Sequence, residues 1–477
     1  MLRRSLLAAP ALLPVLRPRS ATAQAPLAQG PGVQQGDVVA PGWRRDVLSR
    51  WGDRVTFDAP PFNPAIVDAE GASAQFGWDA RVIGLAAPPV AADGVARAVL
   101  AVAHPTVDAA LAFPGGRERP EVTGALQGAT LLNLEFQGGR WIVVDGGFQA
   151  RRLTATTLCR AAGPLGQALG GAVRGVLAVN GGCVTPWGTL LLAEGDPNTL
   201  APRLGVAQTA PYGWIAEFDP LDPQAVPAKR TALGRAVRGD ATAVLARDTR
   251  AVVFSTQRLP SGFLFRFVSA APAAEPDALD AGQLSVGVQQ GNRLRWAPLP
   301  AGAAQDLGEA ARALGAAPFD VPAGCDWDAR GNRLLVCLRG GVTRSAGSVI
   351  ALRPEGGDPA AEVFAVETVV AGGLANPDTV TAARDGRILI GTDQGGAWQA
   401  AADTLFQLQG PGVAPIYAAA RGAGIGGAAV TPDGRTIVTA ARMPGRAPGA
   451  SFERPATRWP EFTPGVPPRS ALVALTR

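Results

Sequence analysis

Val179-Asn180-Gly181-Gly182-Cys183-Val184-Thr185-Pro186-Trp187-Gly188-Thr189 runs directly into Leu190-Leu191-Leu192-Ala193-Glu194-Gly195-Asp196. Small residues, one cysteine and a Pro-Trp corner lead into an apolar strand that ends in two carboxylates. Glycines let a backbone approach a ligand closely, and acids at a strand end present oxygen ligands at a rim. Taken alone, the stretch reads as a metal or phosphate loop.

The surrounding composition sets the fold class. With 47% apolar residues, 60 glycines, 42 prolines and only 17% charged residues, the chain suits many short strands and tight turns, not long charged helices. A loose repeat supports this: Gly138-Gly139-Arg140, Asp248-Thr249-Arg250, Gly331-Asn332-Arg333, Asp385-Gly386-Arg387 and Asp433-Gly434-Arg435 each precede a short β-rich run. Such dipeptides close tight hairpins. The last three copies lie about 50 residues apart, the size of a four-stranded propeller blade. The expectation is an all-β chain, a single β-propeller of about six blades with short helical insertions over 42–477; a β-sandwich with similar hairpins is the alternative. The one clear helix spans Ala304 to Leu314, placed to cover an edge or the top face.

Arg3-Arg4, an apolar run from Ser5 to Leu16 and Ala23-Gln24-Ala25 read as a cleaved signal peptide over 1–25, twin-arginine-like and too short to anchor in a membrane. Its loss takes four arginines and no acid, lowering the formal charge from +5 to +1. No basic cluster interleaves with aromatics, so nucleic acid is excluded as a partner. Residues 26–41, rich in Pro, Gly and Gln, read as a flexible lead-in. The expected setting is periplasmic or secreted, as a monomer without a membrane span.

Export permits disulfides, and four cysteines allow three pairings. Cys325 and Cys337 flank a hairpin folding near Gly331, which makes them the first pair; Cys183 then pairs with Cys159 or stays buried. The single histidine, His104, follows an apolar strand and reads as packed, not catalytic. Gly422-Ala423-Gly424-Ile425-Gly426-Gly427 lacks the following helix that a dinucleotide loop needs. With histidine nearly absent, a metal site must use carboxylates, which favours calcium. The candidates are Glu194, Asp196, Asp240, Asp378 and Asp393, whereas Asp248, Asp385 and Asp433 are turn formers.

Together these segments resemble the PhoX family of exported alkaline phosphatases. The resemblance rests on Arg50-Trp51-Gly52-Asp53, Ala74-Gln75-Phe76-Gly77, Phe113-Pro114-Gly115, Val184-Thr185-Pro186-Trp187-Gly188-Thr189, Phe218-Asp219-Pro220-Leu221-Asp222-Pro223, Lys229-Arg230-Thr231-Ala232-Leu233-Gly234-Arg235, Phe265-Arg266-Phe267-Val268-Ser269, Ala375-Asn376-Pro377-Asp378 and Thr431-Pro432-Asp433-Gly434, in family order. It implies a propeller with iron and calcium in a central cleft that hydrolyses phosphomonoesters. It also implies ligands this chain lacks: Asn180 stands at the family's cysteine, Gly239 at a glutamate, and Pro105, Gly195, Ala323 and Gly424 at further acids. Several carboxylates are needed to replace the hydration and balance the charge of clustered cations. The expectation is a largely degenerate centre with no cofactor or only weakly held calcium, and a binding or structural role. The alternative is an active phosphomonoesterase or phosphodiesterase with a reduced calcium site of Glu194, Asp196, Asp240 and Asp378. Either way the cleft's partner is a small phosphoester or another ligand.

Overall fold

A computed structural model describes residues 30–340, 346–395 and 401–477; the signal read at 1–25 lies outside them. Six strands form a closed ring around a central channel: Arg81–Ala86, Val179–Val184, Arg238–Leu245, Pro322–Asp328, Pro377–Ala382 and Gly424–Val430, each packed beside the next and the last beside the first. Each is the innermost strand of an antiparallel meander, so the ring defines six blades, numbered here in that order. The sixth blade takes Thr436–Arg442 and Ala471–Thr476 from the chain's end and Arg44–Arg50 from its beginning. This strand exchange closes the ring by joining strands from the chain's beginning and end in one sheet.

The turn repeat has a structural meaning. Asp248-Thr249, Gly331-Asn332, Asp385-Gly386 and Asp433-Gly434 join the first and second strands of blades three to six. Thr249 and Asn332 take positive φ (67° and 47°), the left-handed twist that a tight hairpin demands. In blade two the same place is filled by Thr185 to Thr189, closed by Thr185 N–H donating to Thr189 C=O at 2.8 Å. The Pro-Trp-Gly corner is therefore the hairpin turn of blade two, at the opposite end of the channel from Glu194.

Apolar cores fill the six spaces between neighbouring blades. Along the strand Leu190–Glu194, Leu190 and Leu192 pack toward blade one while Leu191 and Ala193 pack toward blade three. A strand buried on both faces needs an unbroken apolar run, which is what Leu190 to Ala193 supplies.

The same period of two corrects the disulfide expectation. Cys325 lies opposite Val336 in the ladder, so Cys337 sits one residue off register. One residue flips a side chain to the other face: Cys325 packs between blades three and four, and Cys337 between four and five. Cys159 and Cys183 likewise occupy opposite faces of blade two. All four thiols are free.

The lead-in also differs from expectation where it is described. Val38–Val39 pairs with Gly412–Ala418, and Pro31 accepts from Ala402 N–H, so this segment lies on the outer edge of blade five. The expected helix forms as Leu307–Ala313 behind a 3-10 turn, Ala301–Gln305, because Asp306 caps it by accepting from Glu309 N–H at 3.0 Å. It braces Arg235, whose C=O accepts from Leu307 N–H. Among the described residues no helix is long and apolar enough to cross a membrane.

Candidate functional site

In an antiparallel pair the start of one strand lies beside the end of the other. At one mouth of the channel, each blade therefore presents the first residues of its inner strand beside the last residue of its second strand or the residues just after it. The inner strands contribute Arg81, Asn180, Gly239, Ala323, Asp378 and Gly424; the second strands contribute His104, Glu194, Arg258, Arg339, Asp393 and Arg442. The positions read from sequence thus lie at one mouth, apart from Asp240, which sits deeper in the channel, and Asp196. That residue caps a helical turn by accepting from Asn198 N–H at 2.9 Å.

Glu194 is not at a ligand-facing rim. Its fully buried carboxylate takes Lys229 Nζ at 2.8 and 3.1 Å and accepts from the backbone N–H groups of Leu177, Gly213 and Trp214. Lys229 Nζ also lies 4.7 Å from the Tyr212 ring centroid. With five hydrogen bonds from four donor groups the acid is saturated, and the only lysine of the chain is its counter-ion. His104 is fully buried between Asp79 C=O and Thr130 Oγ1, edge-on to Phe76. Burial, and then Arg152, push its pKa well below the usual histidine range, so it stays neutral.

Asp378 is the centre of the mouth, and what surrounds it is cationic. Its Oδ1 meets Arg258 at 2.7 Å and also Arg339; its Oδ2 meets Arg81 at 2.9 Å and Arg442 at 3.5 Å. Arg442 grips Asp79 with both ends of its fork, at 2.9 and 2.7 Å. Asp393 receives Arg442 at 3.1 Å and Arg446 at 3.0 Å. Burial opposes ionisation of Asp378 and Asp393, yet the guanidiniums hold both carboxyls well below the ordinary range. Burial brings Arg258 down to about 10, with Asp378 pulling the other way and Arg339, Arg81 and Arg442 repelling it.

Deeper in the channel, two acids join blades. Asp240 accepts from Gly182 N–H of blade two, from Cys325 N–H of blade four and from its neighbour Ala241, with Arg81 3.9 Å away. Asp326 accepts from Thr242 of blade three and Ala382 N–H of blade five. Burial raises each to about 6. Together with Arg81, Cys183 and Cys325 they line a cavity of only about 50 Å³.

The positions where the resemblance places further ligands are closely packed by neighbours. A methyl group at Gly424 would lie 2.4 Å from Asp393 Cγ, and one at Gly195 would lie 2.4 Å from Asn180 Nδ2. Asn180 is itself committed, donating to Arg238 C=O at 2.8 Å. Gly239 lies against Thr256 and Ala323, and Pro105 is buried behind His104.

The five arginines were missed in the sequence because each looks like a solvated end of a strand. The available signal was positional: Arg258, Arg339 and Arg442 occupy the same place in their blades as His104, Glu194 and Asp393, at the end of an apolar strand remote from its hairpin turn.

Fold and mouth together define a six-bladed β-propeller with a polar, ion-paired centre. The chain belongs to the alkaline phosphatase PhoX family, whose model matches residues 25–445. It superposes on Pseudomonas fluorescens PhoX in complex with vanadate, a transition state analogue, with a TM-score of 0.85 at 21% identity, covering 95% of this chain and 98% of that one. A Xanthomonas campestris gluconolactonase aligns over 96% of this chain and 99% of its own at 12% identity, but its TM-score of 0.39 is too low to bear on the site. No curated protein matches the sequence.

The iron and calcium that the family implies do not fit these residues. Among the described residues no three His, Cys, Asp or Glu side chains are grouped to hold an ion. The acids that do face the mouth already have cations. At an effective dielectric near 20, a divalent ion about 4 Å from one guanidinium is repelled by about 8 kcal/mol, and Asp378 has four such groups around it.

Proposed function

We propose that this chain is a periplasmic or secreted, non-hydrolytic member of the PhoX family: a monomeric binding propeller in which arginine–aspartate pairs stand in place of the metal-dependent phosphomonoesterase centre. The observation that carries this reading is the single carboxylate of Asp378 shared by Arg81, Arg258, Arg339 and Arg442. A carboxylate so occupied offers no lone pair to calcium, and without a Lewis acid or an activated oxygen nucleophile the family's reaction has no driving chemistry. The Arg3-Arg4 leader supports export in the folded state. The reduced calcium site of Glu194, Asp196, Asp240 and Asp378 has no comparable support, since Lys229 holds the first, a helix N-terminus takes the second and Arg81 faces the other two.

The test is metal analysis of the purified mature protein, with hydrolysis of a chromogenic phosphomonoester in the presence of added calcium and iron. The expected result is sub-stoichiometric metal and no turnover above the protein-free rate. Stoichiometric metal with turnover lost in Glu194→Ala or Asp378→Ala overturns the proposal.

A further inference from the structure

Against the Glu194–Lys229 pair lies a second cavity, of about 520 Å³, which is within the range of small-molecule sites; none of the mouth residues lines it. Its walls are the helices Ala69–Ser73 and Pro120–Leu126 and the chain at 154–156 and 204–206, and Leu177 and Tyr212 form its floor. Leu177 N–H donates to Glu194 and Lys229 Nζ faces the Tyr212 ring, so the ion pair fixes this floor from behind. Tyr212 is only 6% exposed, yet no group among the described residues hydrogen-bonds its hydroxyl, whereas a buried tyrosine hydroxyl ordinarily finds a partner. Burial, followed by Glu194 and Cys159, raises its pKa, so it stays a neutral group that can both donate and accept. Leu177, Leu204 and Val206 give the cavity an apolar side. Glu70 and Glu121 are its exposed members and stand at the opening, neither paired with a cation among the described residues. Acids are favoured in the first turn of any helix, so these two alone mark nothing; the Tyr212 hydroxyl is the independent sign. Arg151 and Arg152 line the adjoining hollow, but the protein holds both: the first donates to Pro223 C=O, and the second to the C=O groups of Ala125, Gln127 and Ala129 and to Thr130 Oγ1.

From the unpartnered hydroxyl, the apolar side and the acidic opening together we infer that this cavity binds a small amphiphilic amine. The apolar body of the ligand covers Leu177, Leu204 and Val206, a hydroxyl or carbonyl at one end meets Tyr212 Oη, and the ammonium at the other end stays at the opening beside Glu70 and Glu121. An ammonium left at the solvent boundary keeps most of its hydration, so apolar contact supplies the larger part of the affinity and the two carboxylates supply the choice of charge. An anion of the same shape meets the same two carboxylates and is rejected. The site is separate from the mouth and does not depend on whether the mouth holds a metal.

The experiment is calorimetric titration of the mature protein with tyramine, with phenethylamine, which lacks the phenol, and with phloretate, the carboxylate analogue of tyramine. Saturable tyramine binding is expected with a Kd of about 1 mM or below. Phenethylamine should bind about fivefold more weakly, and phloretate should show no binding up to about 10 mM. Tyr212→Phe should weaken tyramine about fivefold and leave phenethylamine unchanged. The double variant Glu70→Gln/Glu121→Gln should weaken both amines about threefold or more and remove their sensitivity to added chloride, whereas Glu275→Gln, an exposed acid of blade three, changes neither. If Tyr212→Phe does not fold, Val206→Trp, which fills the cavity from a partly buried position, makes the same test by abolishing binding. No saturable amine binding up to about 10 mM, phloretate binding as tightly as tyramine, or tyramine and phenethylamine binding alike in the wild type overturns the inference. Amine binding indifferent to both Tyr212→Phe and Val206→Trp puts the amine elsewhere and overturns it as well. Each of these failures leaves the non-hydrolytic reading of the mouth standing.

Discussion

Replacing Asp378 with asparagine tests the central claim that the mouth is held together by one over-shared carboxylate. The substitution keeps shape and removes the charge that Arg81, Arg258, Arg339 and Arg442 converge on. Each contact within about 4 Å is worth up to about 4 kcal/mol at an effective dielectric near 20, but most of that offsets desolvation of the ions. Breaking a buried pair by removing one partner costs about 3–5 kcal/mol net. A chain of this length unfolds with an entropy near about 1 kcal/mol/K, so the loss corresponds to a fall in Tm of about 3–5 °C. Differential scanning calorimetry and urea denaturation read both quantities. The companion Arg258→Met removes a crowded cation with an unpartnered Nη1 and is expected within about 1 kcal/mol of wild type. If Asp378→Asn unfolds within about 0.5 kcal/mol of wild type, or if Arg258→Met is the more damaging of the two, the mouth is a solvated surface and the reasoning fails.

Three further outcomes follow from the same geometry. Lys229→Met strands the buried Glu194 carboxylate and should destabilise the protein by about 3–5 kcal/mol, with Glu194→Gln/Lys229→Met recovering part of the loss in a double-mutant cycle. Gly424→Asp, which places an acid where the family resemblance expects one, should reduce stability by more than about 2 kcal/mol without creating calcium affinity, because its Cβ meets Asp393. Asp326, raised to about 6 by burial, contributes stability that is fully present below pH of about 4 and lost as pH rises through about 6. Asp326→Asn should therefore gain about 3 kcal/mol on wild type between those limits, read from urea midpoints at the two pH values.

Much of the fold was legible before any coordinates. The turn dipeptides at Asp248, Gly331, Asp385 and Asp433 mark the inner hairpins of four blades, because a tight reversal that needs a residue with left-handed backbone leaves a compositional trace. Period-two burial accounts for the apolar strands. The disulfide pairing failed on the same periodicity: spacing brought Cys325 and Cys337 to one hairpin, but the register, offset by a single residue, sends them into different cores.

For the site, the sequence by itself determined where the family resemblance places its ligands and that Asn180, Gly195, Gly239 and Gly424 stand there, since these are local facts of a stretch of chain. It also determined that Thr185 to Thr189 is a framework element. It did not determine what Glu194 and Asp378 do, because a carboxylate's role depends on which cation reaches it. Lys229 is 35 residues from Glu194, and Arg81 is 297 residues from Asp378. Only ring closure brings six strand ends to one mouth, and the charge of that mouth is a sum over blades that no single stretch contains.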